Sequence, residues 1–304
     1  MTEPLAFLNG RWIPASQLAV SAVDAGFVLG ATVAEQLRTF GGKLFRLDEH
    51  LARLEHSLEV VGIEPGMTLR EIARAAAELV RRNHSLLAPG DDLGLTIFVT
   101  PGIYPAYAET GAGGPTVAMH TYRLPFRLWA EKYETGQSLV TTPLRQVPSE
   151  CWPAELKCRS RMHYYLADRH AARVEPGARA LLLDRDGRVI EASTANVLIC
   201  RADEGLLSPP AARILPGISL AVVGELARDL AIPKAERELT PDDLAAADEA
   251  LLSSTPFCLL PVTRFDGREI GGGRPGPVFA KLLRAWAERV GLDPAEQARR
   301  FAGR

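Results

Sequence analysis

Lys157 is the side chain in this sequence best suited to covalent chemistry. It follows a Trp152-Pro153 break and precedes an apolar pattern of helical period, so the sequence predicts a helix from Lys157 to about Arg173. A lysine amine condenses with aldehydes when its surroundings lower its pKa enough to leave it neutral. A lone lysine in a first helical turn is ordinarily a solvated surface residue, so this assignment depends on other residues.

Glu191 is a candidate partner for a ring nitrogen. It ends a short strand pattern, Val189-Ile-Glu191, in which alternation places it on the same face as Val189. A carboxylate buried there needs a cation or a proton donor, and a pyridinium nitrogen would serve as that partner. The alternative is an exposed glutamate of a hairpin.

Three further segments could bind a phosphate. One is Gly217-Ile218-Ser219, which precedes an apolar helix, so its backbone N–H groups and the positive end of the helix dipole would face an anion. Another is the hydroxyl run Ser253-Ser254-Thr255 at the end of an apolar strand. Arg53 could add a charge-assisted hydrogen bond from its helix. Taken singly, these are ordinarily a helix start, a turn and a surface arginine.

An amine, a carboxylate and a divided phosphate site are consistent with one another and indicate pyridoxal 5′-phosphate as the cofactor. A metal site is not expected, because the four cysteines are scattered without a Cys-x-x-Cys pair. The same scatter argues against a disulfide framework.

Composition narrows the class of protein. With 304 residues the chain exceeds the usual size of a single core, which favours two domains. Hydrophobic residues make up 47% and charged residues 24%, as in ordinary soluble proteins, and the net charge of -2 gives no reason to expect nucleic acid or membrane as a partner. No signal peptide or spanning run is evident, so we expect a cytoplasmic protein.

The elements that must position these residues alternate between strands and helices. Asn9-Gly10 predicts a hairpin, Asp48 a helix N-cap and Thr68 to Glu71 a capping box, while Pro277 opens the last predicted helix. We therefore predict an α/β fold of mixed α+β character. Its expected domains are a smaller N-terminal α/β domain (1–122), a linker (123–127) and a larger C-terminal domain (128–304) that carries Lys157.

The sequence resembles the class IV, fold-type IV pyridoxal-phosphate enzymes, which include branched-chain and D-amino-acid aminotransferases and aminodeoxychorismate lyase. The resemblance covers nearly the whole chain. The motifs that carry it are Asp24-x-Gly26-x-x-x-Gly30, Glu35, Phe45-x-Leu-x-x-His50-x-x-Arg53-Leu-x-x-Ser57, Leu156-Lys157, Gly187-x-Val-x-Glu191-x-x-x-x-Asn196 and Leu215-Pro-Gly-Ile-Ser219.

The resemblance implies two domains with mainly antiparallel or mixed sheets flanked by helices, a homodimer, and an active site at the domain and dimer interface. It implies a Schiff base between the cofactor and Lys157, and a bond from Glu191 to the pyridine nitrogen. The implied phosphate ligands are Arg53, the N–H groups of Ile218 and Ser219, and the hydroxyl of Thr255, with Ser254 a weaker candidate. The loop 101–115 is the expected contribution to the partner subunit's site.

Three positions depart from the family pattern on the substrate side. Ala34 stands where many members have an aromatic residue, Pro101 where an arginine often binds the substrate carboxylate, and Met162 where branched-chain enzymes have a tyrosine. The sequence therefore does not identify the carboxylate ligand. The substitutes that it offers are Arg38, Arg123, Arg127, Arg161, Tyr104, Tyr107 and Tyr164.

The leading hypothesis is a pyridoxal-phosphate-dependent aminotransferase that acts on a small amino acid, branched-chain or D, with a 2-oxo acid acceptor. One alternative is β-elimination that releases pyruvate, as in aminodeoxychorismate lyase. Another is a non-catalytic protein that binds a phosphate ligand on the same scaffold. The preference for D- or L-substrates is left open.

Overall fold

The computed structural model describes residues 3–108 and 113–303. The chain folds into two compact units: residues 1–124 with 156–160, and residues 125–155 with 161–304. The boundaries predicted at 122 and 127 stay predictions. The segment 156–160, however, which the sequence interpretation placed in the C-terminal domain, belongs to the first unit. No helix in the described ranges is long and apolar enough to cross a membrane.

The first unit is an antiparallel sheet with helices packed on one face. Its described strands are β1 (Leu5–Leu8), β2 (Arg11–Pro14), β3 (Val33–Phe40), β4 (Lys43–Leu44), β5 (Leu93–Thr100) and β6 (Thr116–Arg123). They are ordered β2-β1-β6-β5-β3-β4. Its described helices are α1 (Ala25–Val28), α2 (Leu47–Val61) and α3 (Leu69–His84).

Local sequence signals explain several of these elements. The predicted Asn9-Gly10 hairpin is confirmed, and both residues have the positive φ angles (46° and 83°) that a type I′ turn requires. The predicted capping box is confirmed, with Thr68 and Glu71 exchanging side-chain bonds at the start of α3. The predicted cap at Asp48 is wrong: the N-cap is Arg46, in a left-handed conformation, and Asp48 lies in the first turn of α2.

Side-chain alternation defines two faces of this sheet. Val33 and Leu37 of β3 pack with Leu54 of α2 and Leu79 of α3 in one buried cluster. The residues between them, Ala34, Gln36 and Arg38, therefore point to the opposite face, which we call the polar face. It carries Ala34, Gln36, Arg38, Gly94, Thr96, His120 and Tyr122.

The second unit is built on a mixed sheet. Its described strands are β7 (Gln137–Arg145), β8 (Arg179–Leu183), β9 (Val189–Ala192), β10 (Ala195–Arg201), β11 (Gly205–Ser208), β12 (Lys234–Glu236), β13 (Glu249–Ser254), β14 (Cys258–Phe265) and β15 (Arg268–Glu269). Strand β9 pairs with both β8 and β10, so β10-β13-β14-β7-β8-β9 form a closed ring. Pairings β7–β8 and β7–β14 are parallel. The predicted mixture of helices with antiparallel and mixed sheets is confirmed.

Six described helices accompany this sheet: α4 (Lys132–Thr135), α5 (Met162–Val174), α6 (Ile218–Asp229), α7 (Pro241–Ala245), α8 (Pro277–Val290) and α9 (Pro294–Phe301). Helix α8 begins at Pro277 as predicted, but α9 follows it, so α8 is not the last. Helix α5 packs against β7 and β8 through its small residues Ala167 and Ala171, which lie in one cluster with Val140 and Ala180. Small side chains let the helix approach the sheet closely.

Candidate active site

Lys157 lies in an extended segment, not in a helix. The predicted helix start at Lys157 is wrong, because α5 begins at Met162. The backbone N–H of Ala34 donates to the Lys157 carbonyl (3.0 Å), that of Arg159 donates to the Thr32 carbonyl (2.8 Å), and that of Lys157 donates to Ser57 Oγ (3.2 Å). Backbone groups committed to these distant partners are not available for helical hydrogen bonds. The segment is thereby tied to the end of β3.

Glu35, His50 and Arg53 form a buried charge cluster beneath this segment, on the helix face of β3. Arg53 donates from Nε and Nη2 to the two Glu35 oxygens (2.7 and 2.9 Å), and His50 Nδ1 lies 2.7 Å from Glu35 Oε2. Burial alone raises the pKa of Glu35, but the charge and hydrogen bonds of Arg53, together with the His50 contact, hold the pKa far below its ordinary value of 4.5.

Burial lowers the pKa of His50, Glu35 opposes that shift, and the charges of Arg53 and Lys157 lower the pKa further. The pKa therefore lies below its ordinary value of 6.5, and His50 is neutral at neutral pH. The Glu35 carboxylate can only accept hydrogen bonds, so Nδ1 of His50 carries the imidazole proton and a neutral ring donates to an anion.

Arg53 uses two of its five N–H donors to bind Glu35, which fixes the plane of the guanidinium. Its role as a phosphate ligand stays a prediction.

The Asp24-x-Gly26 motif supports the same region of the first unit. Asp24 accepts hydrogen bonds from the hydroxyls of Thr100 and Thr116 (2.8 Å each) and from the Gly26 N–H (2.7 Å). A Cβ on Gly26 would lie 2.4 Å from Thr100 Cγ2, so no larger residue fits there. The motif is thus explained by packing.

Glu191 lies at one end of a polar row in the second unit. On β9 it lies directly opposite Asn196 of β10, which lies opposite Ser253 of β13. Residues directly opposed on neighbouring strands share a face, and two strand spacings separate Glu191 from Ser253 by roughly 10 Å. Glu191, Asn196 and Ser253 are all buried. Ser253 Oγ has no hydrogen-bond partner among the described residues.

Two neutral side chains donate to the Glu191 carboxylate. The Tyr164 hydroxyl and the Gln146 amide both bond Oε1. Tyr164 reaches it from α5, while Gln146 directly follows β7, where its N–H donates to the Leu183 carbonyl (2.9 Å). Burial, and then the Glu191 charge, raise the pKa of Tyr164 well above its ordinary value of 10.0, so its hydroxyl stays a donor.

The N-terminus of α6 lies beside this row. A Cβ on Gly217, the N-cap of α6, would lie 2.0 Å from Asn196 Oδ1, so a side chain larger than hydrogen has no room. Asn196 Nδ2 in turn donates to the Leu215 carbonyl (3.0 Å). The cap has no side-chain hydrogen bond and the first turn has no acidic residue, so the N–H groups of Ile218 and Ser219 are available to an anion.

The hydroxyl residues after the row differ in their availability. Ser254 Oγ donates to the Thr194 carbonyl (2.9 Å), so its proton is already used. Thr255 is half-buried in the turn that follows β13. Ser253 lies on the Asn196 side of β13, and alternation places Ser254 on the opposite side. The orphaned Ser253 hydroxyl, the α6 N-terminus and the buried Glu191 carboxylate together fit a phosphorylated pyridine.

Comparison with known proteins identifies the family. Residues 32–265 match the family described as amino-transferase class IV. The chain belongs to the class IV aminotransferases. It is therefore an enzyme that catalyses amino-acid transamination, and its family uses pyridoxal phosphate.

Named relatives of this class IV aminotransferase match it over most of their length. It is 32% identical to the D-alanine aminotransferase of Bacillus licheniformis, over 95% of this chain and 98% of that protein. It is 30% identical to a putative branched-chain-amino-acid aminotransferase of Methanocaldococcus jannaschii, over 91% and 93%. The solved structure of the branched-chain aminotransferase from Thermoproteus uzoniensis with norvaline has a TM-score of 0.81 and 26% identity, and the match covers 99% of this chain and 95% of that one. The predicted fold type IV is confirmed.

The side chains that the sequence offers as candidate ligands for the substrate carboxylate lie in different surroundings. Arg38 is only 1% exposed, and its guanidinium lies 4.1 Å from the centroid of the Phe40 ring. Tyr164 donates to Glu191, on the side of the cofactor ring nitrogen in the predicted arrangement. Tyr104 and Tyr107 pack edge to face at 5.7 Å. Arg123 and Arg127 are exposed and Arg161 is half-buried.

One residue of the site, Gln146, was not singled out from the sequence. It carries no sequence signal, because its contact with Glu191 depends on pairing between distant strands. Within the loop 101–115, residues 109–112 lie outside the described residues. The predicted placement of the site at an interface of domains and subunits stays a prediction.

Proposed function

We propose that the protein transfers the amino group of a small amino acid to a 2-oxo acid with pyridoxal 5′-phosphate, which Lys157 holds as a Schiff base. The observation that carries this proposal is the buried row of Glu191, Asn196 and Ser253 beside the N-terminus of α6. A carboxylate at one end of the row and anion donors at the other match the two polar ends of a phosphorylated pyridine.

Bound pyridoxal phosphate supplies an aldehyde that condenses with amines and a ring that accepts the electron pair of the substrate α-carbon. Glu191 would accept a hydrogen bond from the ring nitrogen, and the Tyr164 hydroxyl holds that carboxylate in place. Ile218, Ser219, Thr255 and Arg53 would hold the phosphate, with Ser254 limited by its bond to Thr194.

Lys157 has two roles in this proposal. Its amine binds the cofactor, and the same amine moves the proton between the substrate α-carbon and the cofactor. The hydrogen bonds to Ala34 and Ser57 hold the backbone of Lys157 in place, so its side chain starts from a fixed position, which favours both roles.

The substrate class follows from the relatives. Proteins named D-alanine aminotransferase and branched-chain-amino-acid aminotransferase both match nearly the full chain, which supports a small amino acid and leaves its enantiomer to experiment. No observation favours pyruvate-releasing β-elimination, and membership of an aminotransferase family speaks against a purely non-catalytic protein.

We also propose a homodimer in the cytoplasm. The apolar side chains of Phe27 and Leu29 are 74% and 60% exposed in the single chain, which supports burial against a second copy. The cytoplasmic part of the proposal rests on the sequence, in which the four cysteines are scattered and suggest no disulfide framework. Sedimentation of the purified protein tests the dimer: a monomer at micromolar concentration would contradict it.

The function is tested by the cofactor absorbance band of protein supplied with pyridoxal phosphate. Wild type should show the band of the lysine-bound cofactor and Lys157→Ala should lose it, while Lys281→Ala, which removes an exposed lysine of α8, should keep it. Amino donors should then change the band without an acceptor, and a 2-oxo acid should restore it. A wild-type protein that stays colourless contradicts the proposal, and pyruvate release without an acceptor supports the lyase alternative.

A further inference from the structure

Lys157 and Arg159 project from the same side of their segment. An antiparallel bridge pairs Cys158 with Val33, and directly paired residues share a face. Val33 belongs to the helix-side core, and Leu156 packs against that core as well. Alternation then directs Lys157 and Arg159 away from the core, toward the polar face of the sheet.

That polar face continues across three strands. Gln36 of β3 lies opposite Thr96 of β5, which lies opposite His120 of β6. The Gln36 amide donates to the Tyr122 hydroxyl (2.9 Å) on the same face. These side chains are mostly half-buried, so this is a polar surface with a partly desolvated floor.

The charge of Arg159 reaches this surface. Burial lowers the pKa of His120, and the Arg159 charge lowers it further. Burial raises the pKa of Tyr122, and the charges of Arg159 and Arg38 oppose that rise. At neutral pH both His120 and Tyr122 are therefore uncharged. Arg159, which is exposed, lies close enough to add positive charge beside Lys157.

We propose that Arg159 binds the α-carboxylate of the amino-acid and 2-oxo-acid substrates. This inference rests on the proposed function and names the carboxylate ligand that the sequence left open. Arg38 is buried against Phe40, and Pro101 has neither charge nor N–H to offer, whereas Arg159 is charged, exposed and two residues from the reactive amine.

The spacing suits this role. In an extended segment, residues two apart have Cα atoms about 6.6 Å from each other and side chains that run side by side. In an amino acid the amine and the carboxylate are attached to the same carbon. A substrate whose α-carbon lies beside the Lys157 amine thus places its carboxylate next to the side chain of Arg159. A guanidinium binds a carboxylate with two parallel hydrogen bonds, and Lys at position 159 could supply charge without that fork.

The test compares wild type with Arg159→Gln and Arg159→Lys, and with Arg74→Gln as a control that removes an exposed arginine of α3 on the other side of the sheet. Each protein is loaded with pyridoxal phosphate, and its cofactor affinity and absorbance band are measured first. Butyrate, which has a carboxylate and no amine, is then titrated calorimetrically into each holoenzyme.

We expect Arg159→Gln to weaken butyrate binding about ten- to a hundredfold, as for loss of hydrogen bonds to a charged group. Arg159→Lys should fall between wild type and Arg159→Gln, and Arg74→Gln should match wild type. Cofactor affinity should be the same in all four proteins. In kinetics, Arg159→Gln should raise KM for amino acids and leave reaction with 2-aminobutane, which lacks a carboxylate, unchanged.

Equal butyrate affinity in wild type and Arg159→Gln would overturn the inference. So would a parallel loss of cofactor binding, or an equal loss with 2-aminobutane, since either indicates that Arg159 only maintains the fold. A wild-type protein without the cofactor band refutes the proposed function itself, and the carboxylate site falls with it. Normal cofactor loading with unchanged butyrate binding refutes the carboxylate site alone.

Discussion

Replacing Glu35 by Gln should strongly destabilise the first unit. The Glu35 carboxylate is 1% exposed and receives two hydrogen bonds from Arg53 and one from His50. Gln offers a single acceptor oxygen, and its amide turns two donors toward the N–H groups of Arg53. The variant therefore leaves a buried guanidinium without its counter-charge.

The expected cost is about 3 to 5 kcal/mol, the range found when one partner of a buried ion pair is removed. With a urea m-value of about 2 to 3 kcal/mol per molar, this cost lowers the unfolding midpoint by about 1 to 2.5 M. The matched control is Glu78→Gln, because Glu78 also bonds two arginines, Arg81 and Arg82, but on the exposed face of α3. Solvent screens that cluster, so its loss should leave the midpoint unchanged.

The pH dependence of the Glu35 effect follows from the direction of its pKa shift. The folded pKa lies far below the ordinary 4.5, so the stabilising contribution is complete above pH 4.5 and is lost as pH falls through the folded pKa. The difference between wild type and Glu35→Gln should accordingly be constant from pH 5 to 8 and shrink progressively as pH falls below about 4.5. Urea unfolding of the cofactor-free proteins, followed by far-ultraviolet circular dichroism, measures both quantities. Identical midpoints for wild type and Glu35→Gln at pH 7 would refute this account of the cluster.

Two further substitutions test contacts in the two units. Gly94→Ala should cost about 1 to 3 kcal/mol, because its Cβ would lie 2.1 Å from Cζ of Tyr122. Adding Tyr122→Ala should recover most of that loss in urea unfolding. A fully stable Gly94→Ala variant would contradict the close contact. Tyr164→Phe should cost about 1.5 to 3 kcal/mol by removing a donor to the buried Glu191 carboxylate, whereas Tyr165→Phe, on the exposed face of the same helix, should change the unfolding midpoint little. Equal effects of the two tyrosine substitutions would show that the bond to Glu191 is not stabilising.

The sequence by itself determined the elements whose causes are local. The Asn9-Gly10 turn and the Thr68 capping box depend on residues within four positions of one another, and both are confirmed. Pro277 is a further local signal, and α8 begins there as predicted. The family was recognisable for a related reason: its motifs are short and keep their spacing in the chain.

Tertiary structure alone decided the conformation around Lys157 and the surroundings of Glu191. Lys157 follows a helix-breaking proline and precedes a helical pattern, yet hydrogen bonds to Thr32, Ala34 and Ser57 hold its segment extended. Likewise, Gln146 meets Glu191 only because of strand pairing across the closed sheet. Backbone and side-chain partners that lie tens of residues away leave no local pattern, so a helix was predicted where a strand-like segment formed. That difference places Arg159 on the same side as Lys157, a relation that a helix would not have produced.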